Sequence, residues 1–229
     1  YADTLIGVDG RNSLEGYGGD DYIDGGAGGD NLRGYAGDDT LDGGADWDRV
    51  DYDDSPSGVT VDLDLGTASD GWGGTDTLHN FEGVRGSDYD DTLIAGDDPG
   101  YWHSLEGGAG NDTLIGSVGS NDRASFQNAP MGVRVDLSQE NEYGEVTVSD
   151  GYGGTDTLID IDHVRGSDGG SDVLIGDGDY NQLDGRAGND VLIGGGGSDS
   201  LSGDTGGDSF VYTSKTDSTA SAVDWINDV

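Results

Sequence analysis

The chain has 229 residues with a formal net charge of −39, 46 glycines and no cysteine, and only 31% of its residues are hydrophobic. This composition excludes a disulfide framework and provides too little apolar material for an ordinary globular core. The acidity disfavours nucleic acid as a partner because phosphates would be repelled, and no apolar run is long enough to span a membrane.

Residues 1–51 repeat every nine positions. A glycine-rich stretch precedes most units, as in GGAGGDNLR at 25–33, and a large apolar residue follows each polar position by two. So short a period is typical of a solenoid. Glycines permit the positive φ of a tight turn, and alternation along a three-residue strand turns the apolar side chain inward. The recurring polar residues are Asp3, Asn12, Asp21, Asp30, Asp39 and Asp48.

The apolar residues alone are too few to hold this fold together. Each buried apolar side chain contributes about 1.5–3 kcal/mol, whereas ordering each residue costs about 1–2 kcal/mol. Aspartate carboxylates and turn carbonyls are oxygen ligands of the kind that Ca²⁺ prefers. We therefore expect multiple Ca²⁺ ions to stabilise the chain. The alternative, that the aspartates only keep a repetitive surface soluble, does not explain their fixed phase.

The pattern GGxGxDxUx, with U apolar, resembles the calcium-binding nonapeptide of the RTX (repeats-in-toxin) family. The resemblance implies an all-β fold, the parallel β-roll, in which stacked coils form two parallel sheets with calcium between neighbouring turns. It also implies that one ion bridges turns on the same side, so that Asp21 would pair with Asp39 and Asp30 with Asp48. Asn12 lacks a charge, so we expect a weaker site there.

From Asp53 the nine-residue period stops, and GVTVDL at 58–63 alternates like a half-buried strand. When the period returns, His103 stands where an aspartate is expected, and the last unit offers either Asn121 in register or Asp122 one position late. A second break then copies the first with six extra residues near 139–144. This arrangement also resembles the block linkers of RTX proteins.

The period is regular again in the last third of the chain. Phe210 is bulkier than the other apolar repeat residues and suits a solenoid end that must be closed. The residues beyond it resemble the segment after the rolls in the C-terminal domains of serralysin-type metalloproteases. We therefore divide the chain into roll blocks at 1–51, 86–124 and 166–211, duplicated β spacers at 52–85 and 125–165, and a partial C-terminal cap at 212–229.

The resemblance and the spacing together predict a set of metal ligands, assisted by backbone carbonyls of the glycine turns. Asp76 and Asp156, in the duplicated GGTDTL of the spacers, are possible further ligands. The predicted calcium ligands of the repeats are Asp3, Asn12, Asp21, Asp30, Asp39, Asp48, Asp91, Asp112, Asp122, Asp172, Asn181, Asp190, Asp199 and Asp208.

We find no pattern for catalysis. The three histidines are too far apart for the HExxH zinc helix, and no GxSxG nucleophile elbow occurs. Trp72 and Tyr152, at equivalent spacer positions, and the pair Tyr101-Trp102 could stack on sugar rings or could simply cover faces of the roll. We favour the covering role.

The sequence predicts a calcium-folded RTX module of a larger secreted bacterial protein, exported by type I secretion machinery and not itself an enzyme. The chain begins within a repeat, which suggests that it is part of a longer protein. Its role would be extracellular folding, stability and secretion. Two alternatives remain open: a structural or adhesive scaffold of a surface-layer protein or adhesin, and a polysaccharide-contacting accessory module of an extracellular enzyme such as an alginate epimerase.

Overall fold

The computed structural model describes residues 1–97, 102–119, 121–214, 217–219 and 223–227. Regular structure in these residues is entirely β-strand, and most strands have only three residues. Short strands are expected because each nonapeptide spends six residues on its turn. None of the described residues belongs to a helix long and apolar enough to cross a membrane.

The strands are named here in chain order. The first group is β1 (Thr4–Ile6), β2 (Ser13–Glu15), β3 (Tyr22–Asp24), β4 (Asn31–Arg33), β5 (Thr40–Asp42), β6 (Arg49–Asp51), β7 (Thr60–Asp62), β8 (Thr67–Ser69), β9 (Thr75–His79) and β10 (Gly83–Arg85). The second group is β11 (Thr92–Ile94), β12 (Ser104–Glu106), β13 (Thr113–Ile115), β14 (Arg123–Ser125), β15 (Arg134–Asp136), β16 (Glu145–Ser149), β17 (Thr155–Ile159) and β18 (His163–Arg165). The third group is β19 (Val173–Ile175), β20 (Gln182–Asp184), β21 (Ala187–Gly188), β22 (Val191–Ile193), β23 (Ser200–Ser202), β24 (Thr205–Gly206), β25 (Ser209–Phe210) and β26 (Trp225–Asn227).

Two long sheets face each other along the chain. Sheet A has 14 strands in the order β1-β3-β5-β9-β8-β7-β11-β13-β17-β16-β15-β19-β22-β25, and sheet B has 10 in the order β2-β4-β6-β10-β12-β14-β18-β20-β23-β26. Leu5 lies opposite Ile23 in sheet A, and Leu14 lies opposite Leu32 in sheet B, both in parallel register. Two nonapeptides therefore make one coil, and the predicted parallel β-roll is confirmed.

The core is one continuous cluster of mostly aliphatic side chains contributed by both sheets. The middle residue of each three-residue strand points inward, and Ile23, Leu32, Leu41 and Val50 are fully buried. Leu5 and Leu14 lie in β1 and β2, the first strands of the two sheets, and are only partly buried. Phe210 is likewise partly buried at the other end of sheet A.

Each spacer is built into sheet A instead of interrupting the roll. In the first, β8 runs antiparallel between β7 and β9, while β9 pairs in parallel with β5 and β7 with β11. In the second, β16 takes the same antiparallel place between β15 and β17. Sheet B continues directly through β10 and β18. Each spacer thus adds two strands to sheet A alone. The boundaries proposed for the roll blocks and spacers stay a sequence-based prediction.

The end of the described chain returns to sheet B. β26 pairs in parallel with β23, with Ile226 opposite Leu201. Part of the predicted cap, including Lys215 and Val229, lies outside the described residues, as does Tyr101. The capping role of 212–229 stays a prediction.

Candidate metal centre

The repeat aspartates stack in ladders along both edges of the roll. On the sheet A side, the backbone N–H of Asp3 donates to Asp21 Oδ1 at 2.6 Å, and that of Asp21 donates to Asp39 Oδ1 at 2.7 Å. On the sheet B side, Asp30 donates in the same way to Asp48 Oδ1 at 2.7 Å. The residues expected to pair across coils are therefore neighbours, each with one carboxylate oxygen fixed by the preceding coil.

The ladder on the sheet A side is divided by the spacers. Asp39 and Asp112 donate their N–H groups to Asp76 Oδ1 and Asp156 Oδ1, at 3.1 and 3.0 Å, which extends each run into a spacer. The next run begins at a valine that has no carboxylate. Val59 donates its N–H to Asp91 Oδ1 at 2.7 Å, and Val133 does the same to Asp172 Oδ1 at 2.7 Å.

Eight turns of the repeats leave the second carboxylate oxygen buried without a hydrogen-bond donor in the described part of the chain. We call them open turns. In each, the residue after the leading glycine has a positive φ, at Tyr17, Gly26, Tyr35, Gly44, Gly108, Arg186, Gly195 and Asp204. A buried carboxylate oxygen without a donor is costly, so its retention requires an explanation such as an ion. The aspartates concerned are Asp21, Asp30, Asp39, Asp48, Asp112, Asp190, Asp199 and Asp208.

The leading glycine of an open turn leaves space in front of this oxygen. A Cβ atom at Gly25 would lie 2.6 Å from Asp30 Oδ2 and 2.5 Å from the carbonyl oxygen of Gly43 in the next coil. A Cβ at Gly16 would meet Asp21 Oδ2 at 2.5 Å. A carboxylate and a carbonyl from adjacent coils thus face one small space, which is the type of oxygen set that Ca²⁺ uses.

Other predicted ligands lie in turns that are closed by the protein itself. Ser87 donates its N–H to Asp91 Oδ2 at 2.6 Å and its hydroxyl to Asp91 Oδ1 at 2.8 Å. Ser167 does the same to the two oxygens of Asp172, at 2.7 and 3.0 Å. Asp122 belongs to this class, because Ser117 donates its N–H to Asp122 Oδ2 at 2.7 Å. These carboxylates have their hydrogen bonds without an ion.

The two asparagines of the repeat also lie in closed turns. Val8 donates its N–H to Asn12 Oδ1 at 3.0 Å, and Asp177 donates to Asn181 Oδ1 at 2.8 Å. Neither donor has a positive φ. The sequence pattern did not separate closed from open turns, although the residue after the leading glycine carries the difference.

Burial raises the pKa of the open-turn carboxyl groups. It raises the pKa of Asp48, Asp190 and Asp199 to about 6 in each case, with smaller contributions from neighbouring aspartates. Burial is also the main cause of the raised pKa of Asp112, and repulsion from Asp156 adds to it. These shifts arise because negative charges are placed in a poorly solvated space without a counter-ion. A bound divalent cation would reverse that balance.

The family comparison follows the same repeats. The model of the RTX calcium-binding nonapeptide repeat matches residues 1–32, 25–54, 104–122, 166–201 and 178–210, together just over half of the chain. The chain belongs to the RTX calcium-binding repeat family. A comparison with curated proteins found no match. The RTX match leaves most of both spacers uncovered.

Each spacer carries a buried aspartate that RTX repeat spacing does not reveal. Asp70 is fully buried, and its Oδ1 accepts three backbone N–H groups, from Trp72, Gly73 and Gly74, at 2.8–2.9 Å. Asp150 has the same environment in the second spacer. Oδ2 of each has no donor in the described residues. The duplicated motif SDGxGG was the available sequence signal.

The two spacers differ at one contact with their ladder aspartates. The hydroxyl of Tyr52 donates to Asp76 Oδ2 at 2.9 Å. Phe126 occupies the equivalent position of the second spacer and has no hydroxyl for Asp156. Burial raises the pKa of Asp76 and of Asp156 to about 7 in each case.

Two further acidic residues extend the sheet B ladder. Glu82 Oε2 accepts the N–H of Asp48 at 2.9 Å, and Asp224 Oδ1 accepts the N–H of Asp199 at 3.1 Å. Both begin an acid-x-apolar triplet without the preceding glycines, which explains why the repeat pattern missed them. Asp122, not Asn121, takes the ladder position, where it accepts the N–H of His103 at 2.9 Å.

The acids do not form conventional clusters. Among the described residues, no three carboxylate or histidine side chains converge as a metal-binding group. Sites built from one or two aspartates and backbone carbonyls are consistent with this arrangement. Of the spacer aromatics, Trp72 is exposed, whereas Tyr152 packs partly against the core and donates its hydroxyl to the Asn128 carbonyl at 2.8 Å.

Proposed function

We propose that this RTX chain is a calcium-folded module of a larger secreted protein, without catalysis of its own, which supports extracellular folding, stability and type I secretion. The observation that carries the proposal is the set of eight open turns, each with a buried carboxylate oxygen that lacks a donor in the described residues. A folded chain that buries so many unneutralised oxygens requires cations.

The calcium ligands proposed here are the eight aspartates of the open turns, together with turn carbonyls such as that of Gly43. Asp70 and Asp150 join this set because their Oδ2 atoms share the same environment. Asp76 and Asp156 end the adjoining ladders and are proposed as further ligands. Asp3 starts the first ladder at the exposed end of the chain. The closed turns, including those of Asp91 and Asp172, would hold no ion.

Calcium binding would reduce the negative charge that opposes folding. At −39, the calcium-free chain repels itself and has too few apolar residues to overcome that repulsion. Binding to the folded state alone stabilises it by mass action. Extracellular calcium modules commonly bind at about 10⁻⁴–10⁻³ M. Such affinities would keep the chain unfolded before export and fold it outside the cell.

Calcium titration of the whole chain tests this proposal. Circular dichroism should show a disordered spectrum in excess chelator and a β spectrum in millimolar calcium, and calorimetry should count close to one ion per open turn plus those of the spacers. Magnesium at the same concentration is the control, because its stricter octahedral geometry suits these turns poorly. A β spectrum that persists in chelator at neutral pH would contradict the proposal.

A further inference from the structure

A groove with an unusual composition runs along the edge of sheet B. Its volume is about 430 Å³, and its lining side chains are those of Arg11, Asn31, Trp47, Trp102, Arg123 and Arg165. These residues come from the turns or strands of β2, β4, β6, β12, β14 and β18, in a stretch of seven consecutive strands. At about 4.8 Å per strand, this stretch is about 29 Å long, so the groove suits an extended ligand.

Two tryptophans form the floor of the groove. Trp47 and Trp102 both stand two positions before their strands, and their ring centroids are 6.1 Å apart with an angle of 27° between the ring planes. Gly83 allows this arrangement, since a Cβ there would lie 2.6 Å from the Trp47 ring. Trp102 remains 41% exposed, and the Trp47 Nε1 is buried without an acceptor in the described part of the chain.

Three of the chain's few basic residues, Arg11, Arg123 and Arg165, line the groove. Arg123 is only 8% exposed, and its guanidinium carbon lies 4.4 Å from the Trp102 ring centroid. Its side-chain hydrogen bonds go to Ser104 Oγ at 3.4 Å, and no carboxylate of the described residues is within ion-pair distance. Burial lowers its pKa to about 10, so it stays charged at neutral pH. A buried cation without a counter-ion is rare unless a ligand supplies one.

The other arginines of sheet B show the contrast. Arg33 and Arg85 both form ion pairs with Asp53, at 3.0 and 2.9 Å. Arg165, at one end of the groove, pairs with Asp184 at 3.2 Å. Arg11, at the other end, is exposed and has no carboxylate partner among the described residues. In a chain with 48 acidic residues, none of the described residues that line this groove is acidic.

We propose that this groove binds an acidic polysaccharide, with sugar rings stacked on the exposed Trp102 and the half-buried Trp47 and with carboxylates held by Arg123 and Arg11. Aromatic faces accept the apolar faces of sugar rings, and arginine provides planar donors for carboxylate oxygens. Single-stranded nucleic acid normally requires a continuous basic groove that tracks its phosphates, and here the flanking turns are acidic. The proposal needs the folded roll but not any particular number of calcium ions.

The test is binding of a short oligouronate to the folded chain in calcium, measured by calorimetry and by tryptophan fluorescence. Tetragalacturonate is the probe, because oligomers of this length do not form calcium gels that would obscure the signal. Its fully methyl-esterified form is the control ligand, since the rings are kept and the charges removed. We expect the acid to bind at least about tenfold more tightly than the ester.

Variants separate the groove from the rest of the surface. Trp102→Ala and Arg123→Gln should each weaken binding about tenfold. Arg11→Gln, at an exposed position, should weaken binding about threefold. Trp72→Ala and Arg134→Gln are matched controls outside the groove and should bind normally. Circular dichroism and the melting temperature in calcium establish that each variant is folded. A variant that fails to fold in calcium is thereby distinguished from one that folds but does not bind the oligouronate.

Three results would overturn the proposal. The first is the absence of oligouronate binding by the folded chain, and the second is equal binding of acid and ester. The third is that a single-stranded oligonucleotide competes with the oligouronate and binds more tightly, and that its binding is weakened to the same extent by Trp102→Ala and Arg123→Gln. If the Arg11→Gln variant and the Trp102→Ala variant both fold and both bind the oligouronate normally, the assignment of these two residues to the binding site is wrong.

Discussion

At the scale of the residue, the backbone angle of one position decides whether a turn is open or closed. Tyr17 and Tyr35 adopt φ of 70° and 66°, and their turns leave the carboxylate oxygen without a donor. Ser87 lacks the positive φ and directs its N–H at Asp91. The same aspartate in the same phase therefore has two environments, and a motif defined by the aspartate alone cannot distinguish them.

Gly25→Ala should remove calcium from one open turn. Gly25 has no positive φ, so alanine adds no backbone strain, but its Cβ would lie 2.6 Å from Asp30 Oδ2. We expect one ion fewer by calorimetry and a loss of about 1–3 kcal/mol in calcium, as for other overpacked sites. Gly178→Ala is the control, because its Cβ would meet nothing within 4 Å. An unchanged ion count in Gly25→Ala would contradict the open-turn assignment.

Asp39→Asn and Asp91→Asn should have different effects on calcium stoichiometry. Asp39 lies in an open turn, so removal of its charge should lower the ion count by one. Asp91 lies in a closed turn that an amide can satisfy, as Asn12 and Asn181 already do. Asp91→Asn should therefore retain the full count in the same titration. A loss of one ion from both variants would show that the two classes of turn do not differ.

At the scale of the element, the spacers act as strand insertions that keep one sheet continuous. Val61 and Leu78, in the outer strands of the first insertion, are buried in the same core as the repeat residues. The alternation GVTVDL predicted a half-buried strand correctly. The antiparallel pairing could not be predicted from it, because the pairing depends on which coil each strand meets and not on its own pattern.

Tyr52→Phe tests how the first spacer is joined to its ladder. The substitution removes the hydrogen bond to Asp76 Oδ2, and we expect a loss of about 1 kcal/mol in urea unfolding with calcium present. Phe126→Tyr is the reciprocal variant and should be neutral or stabilising, since it offers Asp156 the same donor. If Tyr52→Phe unfolds at the wild-type urea concentration, this hydrogen bond does not stabilise the spacer.

At the scale of the whole molecule, the buried carboxylates link folding to pH. In the calcium-free fold, burial raises the pKa of Asp48 and Asp199 to about 6 and that of Asp76 to about 7, against about 3.9 in an unfolded chain. Groups with raised folded pKa values stabilise the fold below pH 4. That contribution is lost as the pH rises through the folded values.

Acidification should therefore favour structure in the calcium-free chain. In chelator, the β signal should increase as the pH is lowered from 8 to 4, because the stability gain begins at the folded pKa values of about 6–7 and accumulates down to the unfolded value of about 3.9. In calcium the sign should reverse, because protons compete with the ion for the same carboxylates. Circular dichroism at constant ionic strength measures both trends. A calcium-free signal that decreases on acidification would contradict this linkage.

Much of the fold could be predicted from the sequence because the period is short and strict. The phase of the repeat predicts an inward apolar residue two positions after Asp39 and Asp190, and the residues there, Leu41 and Leu192, are both fully buried. The ladder positions Glu82 and Asp224 were missed, and so was the buried spacer residue Asp70, since all three lie outside the glycine pattern that identifies a repeat. The Trp47 and Arg123 groove was also missed, because its residues are far apart in sequence and meet only through the stacking of coils.

The two spacer insertions have a geometric consequence for the shape of the molecule. Sheet A contains four strands more than sheet B, so at about 4.8 Å per strand one face is about 19 Å longer than the other. Both insertions lengthen the same face. We therefore expect sheet A to curve over sheet B, and small-angle scattering of the calcium-bound chain would distinguish such a bend from a straight rod.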